Sequence, residues 1–250
     1  MNSELDKNSM VFLPGWGFSA QIWHAVCQKI NMDTIKSAQC LSLPDQAIAE
    51  EMVLQYLVKN IPDHSTLVAW SLSGLFALKL LAKYPQKIAH LYLVGSTPYF
   101  SKCEKTASWQ GCSAVFKQDF ISNYQLDFLT LERNFLKLVT FPSTSPALRK
   151  AIKKHYMLEG SSHSEVFYLQ YLFEQDHRDI AVKNKTKISF ILGDQDAIVH
   201  PQTIAQLQEN AFNVRIIKEA GHVAFLTHTD KFLEILTANL DCCASLAKTI

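Results

Sequence analysis

The chain has 250 residues, 48% of them hydrophobic and 19% charged, which excludes a disordered polymer and suits one large domain or one core carrying an insertion. Twenty-four basic residues nearly cancel 23 acidic ones, so at a net charge of +1 bulk electrostatics predict no nucleic-acid and no membrane partner. Residues 1–8 lack the apolar run of a secretion signal, and no stretch reaches the roughly 18 apolar residues of a membrane span; a cytoplasmic monomer is the expectation.

Short apolar runs alternate with longer helical patterns. Met10–Leu13 reads as a buried strand ending at Pro14-Gly15, and Cys40–Leu43 as a second strand ending at Pro44. Ala47–Lys59 places Ile48, Met52 and Tyr56 at helical spacing. Thr66–Trp70 is a strand, Ser73–Tyr84 a helix halted before Pro85, and Ile88–Val94 a strand ending at Gly95. From Thr97 to Asp179 the rhythm breaks into amphipathic helices without a convincing strand. Lys187–Leu192 resumes the strands, a helix starts at Pro201, Asn213–Lys218 is the last strand and Asp230–Leu240 the last helix. The alternation predicts an α/β fold: a mostly parallel central sheet with helices on both faces. Residues 1–96 and 180–250 would form the core, and 97–179 a helical lid across the C-terminal edge of the sheet.

Six cysteines (27, 40, 103, 112, 242 and 243) show no CxxC or cysteine–histidine spacing, so no metal site is expected and each reads as a buried, reduced thiol.

The chemistry concentrates where strands end. Thr66-Leu-Val-Ala-Trp70 runs into Ser71-Leu72-Ser73-Gly74 and then a helix, the layout of a nucleophile elbow. Side chains two positions either side of such a serine must be small, and Ala69 and Ser73 are. Ser73 is the rival nucleophile, but Leu75 is too large for its flank, so Ser71 is preferred. A serine hydroxyl needs a histidine base held by a carboxylate, in the chain order serine, acid, histidine. Asp196 follows the strand ending at Gly193 and is favoured over Asp194; His222 follows the last strand, beside Gly221. The oxyanion donors would be the Leu72 amide and, in the loop Pro14-Gly15-Trp16-Gly17, the Trp16 amide.

These motifs resemble the α/β-hydrolase superfamily over essentially the whole chain, and within it the carboxylesterases of biotin synthesis (BioH type) that demethylate pimeloyl-acyl carrier protein methyl ester. The resemblance rests on Leu13-Pro-Gly-Trp-Gly-Phe-Ser-Ala-Gln-Ile-Trp23, Ala69-Trp-Ser-Leu-Ser-Gly-Leu75, Val94-Gly-Ser-Thr-Pro-Tyr-Phe100, Gly193-Asp-Gln-Asp196 and Gly221-His-Val-Ala-Phe225. Pro14 stands where many relatives have histidine, and Ala69 and Ser73 replace elbow glycines. The lid matches more loosely, through Leu131-Glu-Arg-Asn-Phe-Leu-Lys-Leu138. The resemblance implies a cofactor-free serine esterase with Ser71, His222 and Asp196 as its triad. Trp16, Trp70, Leu72, Phe135, Val139 and Phe225 would surround the acyl chain.

Between Arg133 and Leu158 lie six basic residues and no acidic one: Arg133, Lys137, Arg149, Lys150, Lys153 and Lys154. On a helix through Pro146–Met157, Arg149, Lys150, Lys153 and Lys154 flank an apolar stripe of Leu148, Ile152 and Tyr156, a face suited to an acidic acyl carrier protein. A short-chain esterase, lactonase, thioesterase or carbon–carbon hydrolase would carry the same triad, and a non-catalytic ligand receptor the same fold.

Overall fold

Strand β1 (Ser9–Leu13) pairs on one side with β2 (Ser37–Cys40) and on the other with β3 (Ser65–Trp70). Three more strands follow outward, β4 (Ile88–Val94), β5 (Ile188–Gly193) and β6 (Asn213–Ile217), in the order β2-β1-β3-β4-β5-β6, all parallel. The computed structural model describes residues 9–246 apart from 31–34, 36, 103–108 and 161, and only the backbone of 239–246. Residues 1–8, Cys103 and the side chains of Cys242 and Cys243, about which the sequence raised expectations, lie outside that description.

Parallel strands need crossovers, and these cover both faces, so central strands are apolar on both sides. Every residue of β3 and β5 is buried. The two-residue period of a strand then sorts side chains into two cores. Val11, Leu13, Leu67, Ala69, Leu91 and Leu93 pack on one face with α2 (Glu50–Asn60) and α3 (Ser73–Lys83). Met10, Phe12, Val68, Trp70, Tyr92 and Val94 pack on the other, with α1 (His24–Lys29) and the C-terminal helix that starts at Thr229.

Between β4 and β5 lie α4 (Ala114–Leu126), α5 (Phe128–Thr140), α6 (Pro146–Lys153), α7 (His163–Glu174) and the short α8 (Arg178–Lys183). Helix α7 is fastened to the loop before α2 and to the first residue of α2, because Tyr168 Oη donates to the Pro44 carbonyl at 2.8 Å and Tyr171 Oη to Glu50 at 2.8 Å. No helix among the described residues is long and apolar enough to cross a membrane.

Three local expectations are corrected. Strand β2 ends where it was expected to begin. After Cys40 the Leu41 amide makes one more bond, to Phe12 O, and the chain then turns away as Ser42 Oγ accepts the Ala20 amide. Helix α2 starts at Glu50 and buries Val53, Leu54 and Leu57, leaving Met52 on its exposed side and Ile48 exposed in the loop before it; Glu50 and Glu51 favour that start at the positive helix end. Helix α6 stops at Lys153, because the next residues peel off to pair with the Gly17–Ser19 segment: Met157 N donates to Gly17 O and Ser19 N to His155 O. Tyr156 therefore leaves the helix and packs on Phe18. Nor are the described thiols core residues: Cys27, Cys40 and Cys112 are all half-buried.

Candidate active site

Register places the site. Leu13 lies beside Ala69, Trp70 beside Val94, Val94 beside Ile191 and Gly193 beside Ile217, so the strands end together and the following residues share one edge. Ligands of open parallel sheets bind at that edge.

Ser71 follows β3 directly with φ +56°, a strained left-handed conformation for a residue with a side chain. The strain is held by neighbours. Its amide donates to Val94 O, its carbonyl accepts from Ser96 Oγ at 2.8 Å and from the Gly74 amide at 3.0 Å, and α3 begins two residues on. Ser73, the rival by sequence, is fully buried and its hydroxyl donates to the Pro14 carbonyl. The elbow departure from glycine thus has a structural use: Ser73 ties the elbow to the loop after β1.

His222 and Asp196 are brought together as the sequence order requires. Nδ1 of His222 lies 2.9 Å from Asp196 Oδ2, both side chains almost wholly buried. The other oxygen, Oδ1, accepts the Ile198 amide at 2.8 Å and the Val199 amide at 3.0 Å. A carboxylate only accepts, so Nδ1 carries the proton in the neutral ring and Nε2 is left as the basic nitrogen. Asp194 is occupied elsewhere, accepting the Glu219 amide and pairing with Lys218. The imidazole is seated by Trp70, whose Nε1 donates to His222 O at 3.0 Å, and by Gly95, where a Cβ would come within 3.1 Å of Nδ1. Among the described residues no hydrogen bond joins Ser71 Oγ to the ring; such bonds commonly tighten only when substrate is bound.

The loop Pro14–Gly17 approaches Ser71 because residue 15 is glycine: a Cβ there would lie 3.2 Å from Ser71 Cβ and 3.0 Å from the Trp70 ring. The Trp16 amide in this loop and the Leu72 amide at the elbow donate to no acceptor among the described residues. Trp16 is further held by Nε1 donating to Glu165 O at 3.1 Å. The Glu165 carboxylate accepts the Glu159 and Gly160 amides and the Tyr124 hydroxyl, joining α4 and α7 to this loop. Burial and the Glu165 charge push the Tyr124 hydroxyl well above its usual range, so it stays a donor.

Ser71 and Asp196 border an apolar cavity of about 530 Å³. Trp16 and Phe135, both expected, line it. Trp70, Val139 and Phe225 do not. Trp70 is one residue before the elbow and so points to the opposite face of the sheet, against Phe18 and Phe225. Phe225 stacks on Trp23 at 4.0 Å, and Val139 is fully buried in the same core. Leu72 borders a different cavity of about 330 Å³, beyond the Trp16 loop, with Gly15, Leu43 and Tyr168. The lining that sequence reasoning missed includes Phe100, Phe116, Phe120, Phe173, Ile198 and His200. Phe116 and Phe120 are spaced i, i+4 and were detectable as a helix face; the others depend on tertiary folding.

The basic residues divide. Arg133, Arg149, Lys150, Lys153 and Lys154 line a groove of about 650 Å³ between α5 and α6, together with exposed Leu129 and buried Leu136; Lys137 does not border it. Glu132, one residue outside the basic window, also lines the groove and pairs with Lys153 at 2.9 Å. Helix α5 serves both spaces, with Phe135 and Leu138 on the apolar cavity and Arg133 and Leu136 on the groove. Among the described residues no three His, Cys, Asp or Glu side chains gather as a metal site.

Comparison with known proteins agrees with this geometry. The chain is 25% identical over 253 residues to a pimeloyl-[acyl-carrier protein] methyl ester esterase of Legionella pneumophila (strain Lens), covering 94% of this chain and 98% of the relative. It is 26% identical over 241 residues to the protein of the same name from Salmonella newport (strain SL254), covering 91% of each. Among solved structures, an esterase from Exiguobacterium antarcticum superposes with a TM-score of 0.78 at 18% identity, over 94% of this chain and 92% of that one. A bromoperoxidase from Bacillus anthracis superposes at 0.79 with 20% identity and the same coverage, and at these identities both likenesses speak for the fold alone. The model of the alpha/beta hydrolase fold matches residues 13–229, from the end of β1 to the first residue of the C-terminal helix, and the chain belongs to that family.

Proposed function

We propose that this protein is a serine carboxylesterase that hydrolyses the methyl ester of a pimeloyl chain carried on acyl carrier protein. The observation that carries the catalytic part is the buried His222–Asp196 pair beside a Ser71 held at positive φ, at the border of an apolar cavity. In this reading Ser71 Oγ attacks the ester carbonyl carbon while His222 Nε2 takes its proton. The Trp16 and Leu72 amides hold the resulting oxyanion. Collapse expels methanol, which receives the proton from His222, and leaves an acyl-enzyme. Water, deprotonated by His222, then attacks the acyl carbon and frees the acid and Ser71. No cofactor enters these steps.

The substrate part is supported by the names of the curated relatives and by the basic groove on the far side of α5 from the cavity. An acidic carrier would meet Arg149, Lys150 and Lys154, none of which has an ion-pair partner among the described residues. Lys153 is already neutralised by Glu132. The test is turnover of pimeloyl-acyl carrier protein methyl ester against a small free ester, with Arg149, Lys150 and Lys154 changed to Glu. At about 0.2–1 kcal/mol per exposed charge, KM for the carrier-bound ester should rise between about threefold and a hundredfold, with the free ester unaffected. Added salt should mimic the change. Equal responses of both substrates would leave a small-ester hydrolase without carrier recognition.

A further inference from the structure

Cys27 on α1 and Cys40 at the end of β2 are thirteen positions apart in sequence, and their sulfurs lie 2.8 Å apart. A disulfide bond measures about 2.05 Å, so the two need to close by less than 1 Å to bond. Both side chains are half-buried, which leaves them within reach of a small reagent. Their positions are also mechanically placed. Cys40 sits in register with Phe12 of β1, one residue before the strand ends and the Trp16 loop begins. Cys27 lies on the helix that this loop leads into, by way of the turn Ala20–Trp23. Among the described residues, the bonds that close that frame beside the β1–β2 ladder include Trp23 Nε1 to Leu13 O at 3.0 Å, Ala20 N to Ser42 Oγ at 2.9 Å and Leu41 N to Phe12 O at 2.9 Å.

We propose that Cys27 and Cys40 are a dithiol–disulfide site, closed by small-molecule disulfides, whose cross-link braces the frame around the Trp16 loop. The two thiols are not equivalent. Either sulfur can donate across this contact; with Cys27 S–H as the donor, the bond lowers the Cys40 thiol below its ordinary range and raises Cys27 above it. Cys40 is therefore the attacking thiolate and Cys27 the resolving thiol. Cys40 sulfur attacks one sulfur of the oxidant and expels the other half as a thiol, giving a mixed disulfide. Cys27, losing its proton to solvent, then attacks Cys40 sulfur and releases the second thiol. Two protein thiols are oxidised and one small disulfide is reduced to two thiols. Cys112, pushed up to about 11 by burial, supplies a slow internal comparison.

The experiment incubates the native protein with oxidised glutathione, quenches with acid, and maps tryptic peptides without reduction. A cross-link between peptides 8–29 and 37–59, with loss of two titratable thiols, is the expected result. Cys27→Ser should instead trap a stable glutathione adduct on Cys40, whereas Cys40→Ser should leave Cys27 largely unmodified. The cross-linked protein should melt several degrees higher, on the order of 5–10 °C for a loop of this size, and reduction should reverse the shift. The proposal is overturned if Cys27 and Cys40 remain thiols while Cys112 reacts. It is equally overturned if both carry separate adducts, or if the cross-linked form melts no higher than the reduced one. None of these readouts depends on the esterase reading.

Discussion

Asparagine at position 196 separates the role of the carboxylate from its shape. The Ile198 and Val199 amides both donate to Oδ1, so the asparagine oxygen is held there by two bonds and its NH₂ is forced toward His222 Nδ1. Flipping the amide would set its NH₂ against two N–H donors in a buried site, which costs more than it gains. With a donor facing it, Nδ1 must accept, the ring proton moves to Nε2, and no base remains for Ser71. Loss of kcat should be about 10⁴, or about 5.4 kcal/mol of barrier, while folding is nearly unchanged because both loop bonds survive. The assay is kcat on p-nitrophenyl acetate with a thermal melt of the same samples. Asp194→Asn, at a carboxylate committed to Glu219 and Lys218, is the control and should keep its turnover. An Asp196→Asn enzyme within about tenfold of the parent would refute this account of the pair.

Gly15→Ala places a methyl 3.0 Å from the Trp70 ring and 3.2 Å from Ser71 Cβ, so the loop must retreat and carry the Trp16 amide with it; kcat should fall about 10²-fold with KM little changed, and a pure KM effect would contradict this. His177, buried at the start of α8, has its ring value lowered by burial first and by Lys79 second, with Glu50 and Asp176 opposing. The unfolded chain then takes up the proton first, so its contribution is complete above about pH 6.5 and is lost as pH falls toward the folded value, by at most about 1.4 kcal/mol per pH unit. His177→Gln should flatten the decline of the melting midpoint between pH 7 and 5.5; parallel curves for the two proteins would contradict the assignment.

What the sequence carried was whatever depends on chain order and local geometry. Ser71, Asp196 and His222 each follow a strand, and a parallel sheet brings strand ends to one edge, so the pairing of Asp196 with His222 at the edge that carries Ser71 was legible from chain order. Side-chain direction was less so. The resemblance implied Trp70 and Phe225 as substrate contacts, yet strand alternation turns Trp70 away and Phe225 completes a stack on Trp23. The cavity walls from Phe100 and Phe173 come from two ends of the inserted segment and meet only through its packing. Glu132 lies one residue before the basic stretch in sequence, and its pairing with Lys153 needs α5 against α6. The Cys27–Cys40 approach depends on where β2 ends, which its apolar sequence placed three residues too late.

The claim on which the rest stands is that Ser71 is a nucleophile activated by His222, and covalent labelling reads it without knowledge of the natural substrate. A fluorophosphonate reacts with an activated serine, and fragment ions of peptide 60–79 distinguish Ser71 from Ser73. The adduct is predicted on Ser71, at one per chain, and should be lost in His222→Ala although that protein remains folded. An adduct on Ser73, labelling that persists without His222, or no labelling of the folded parent would contradict the account.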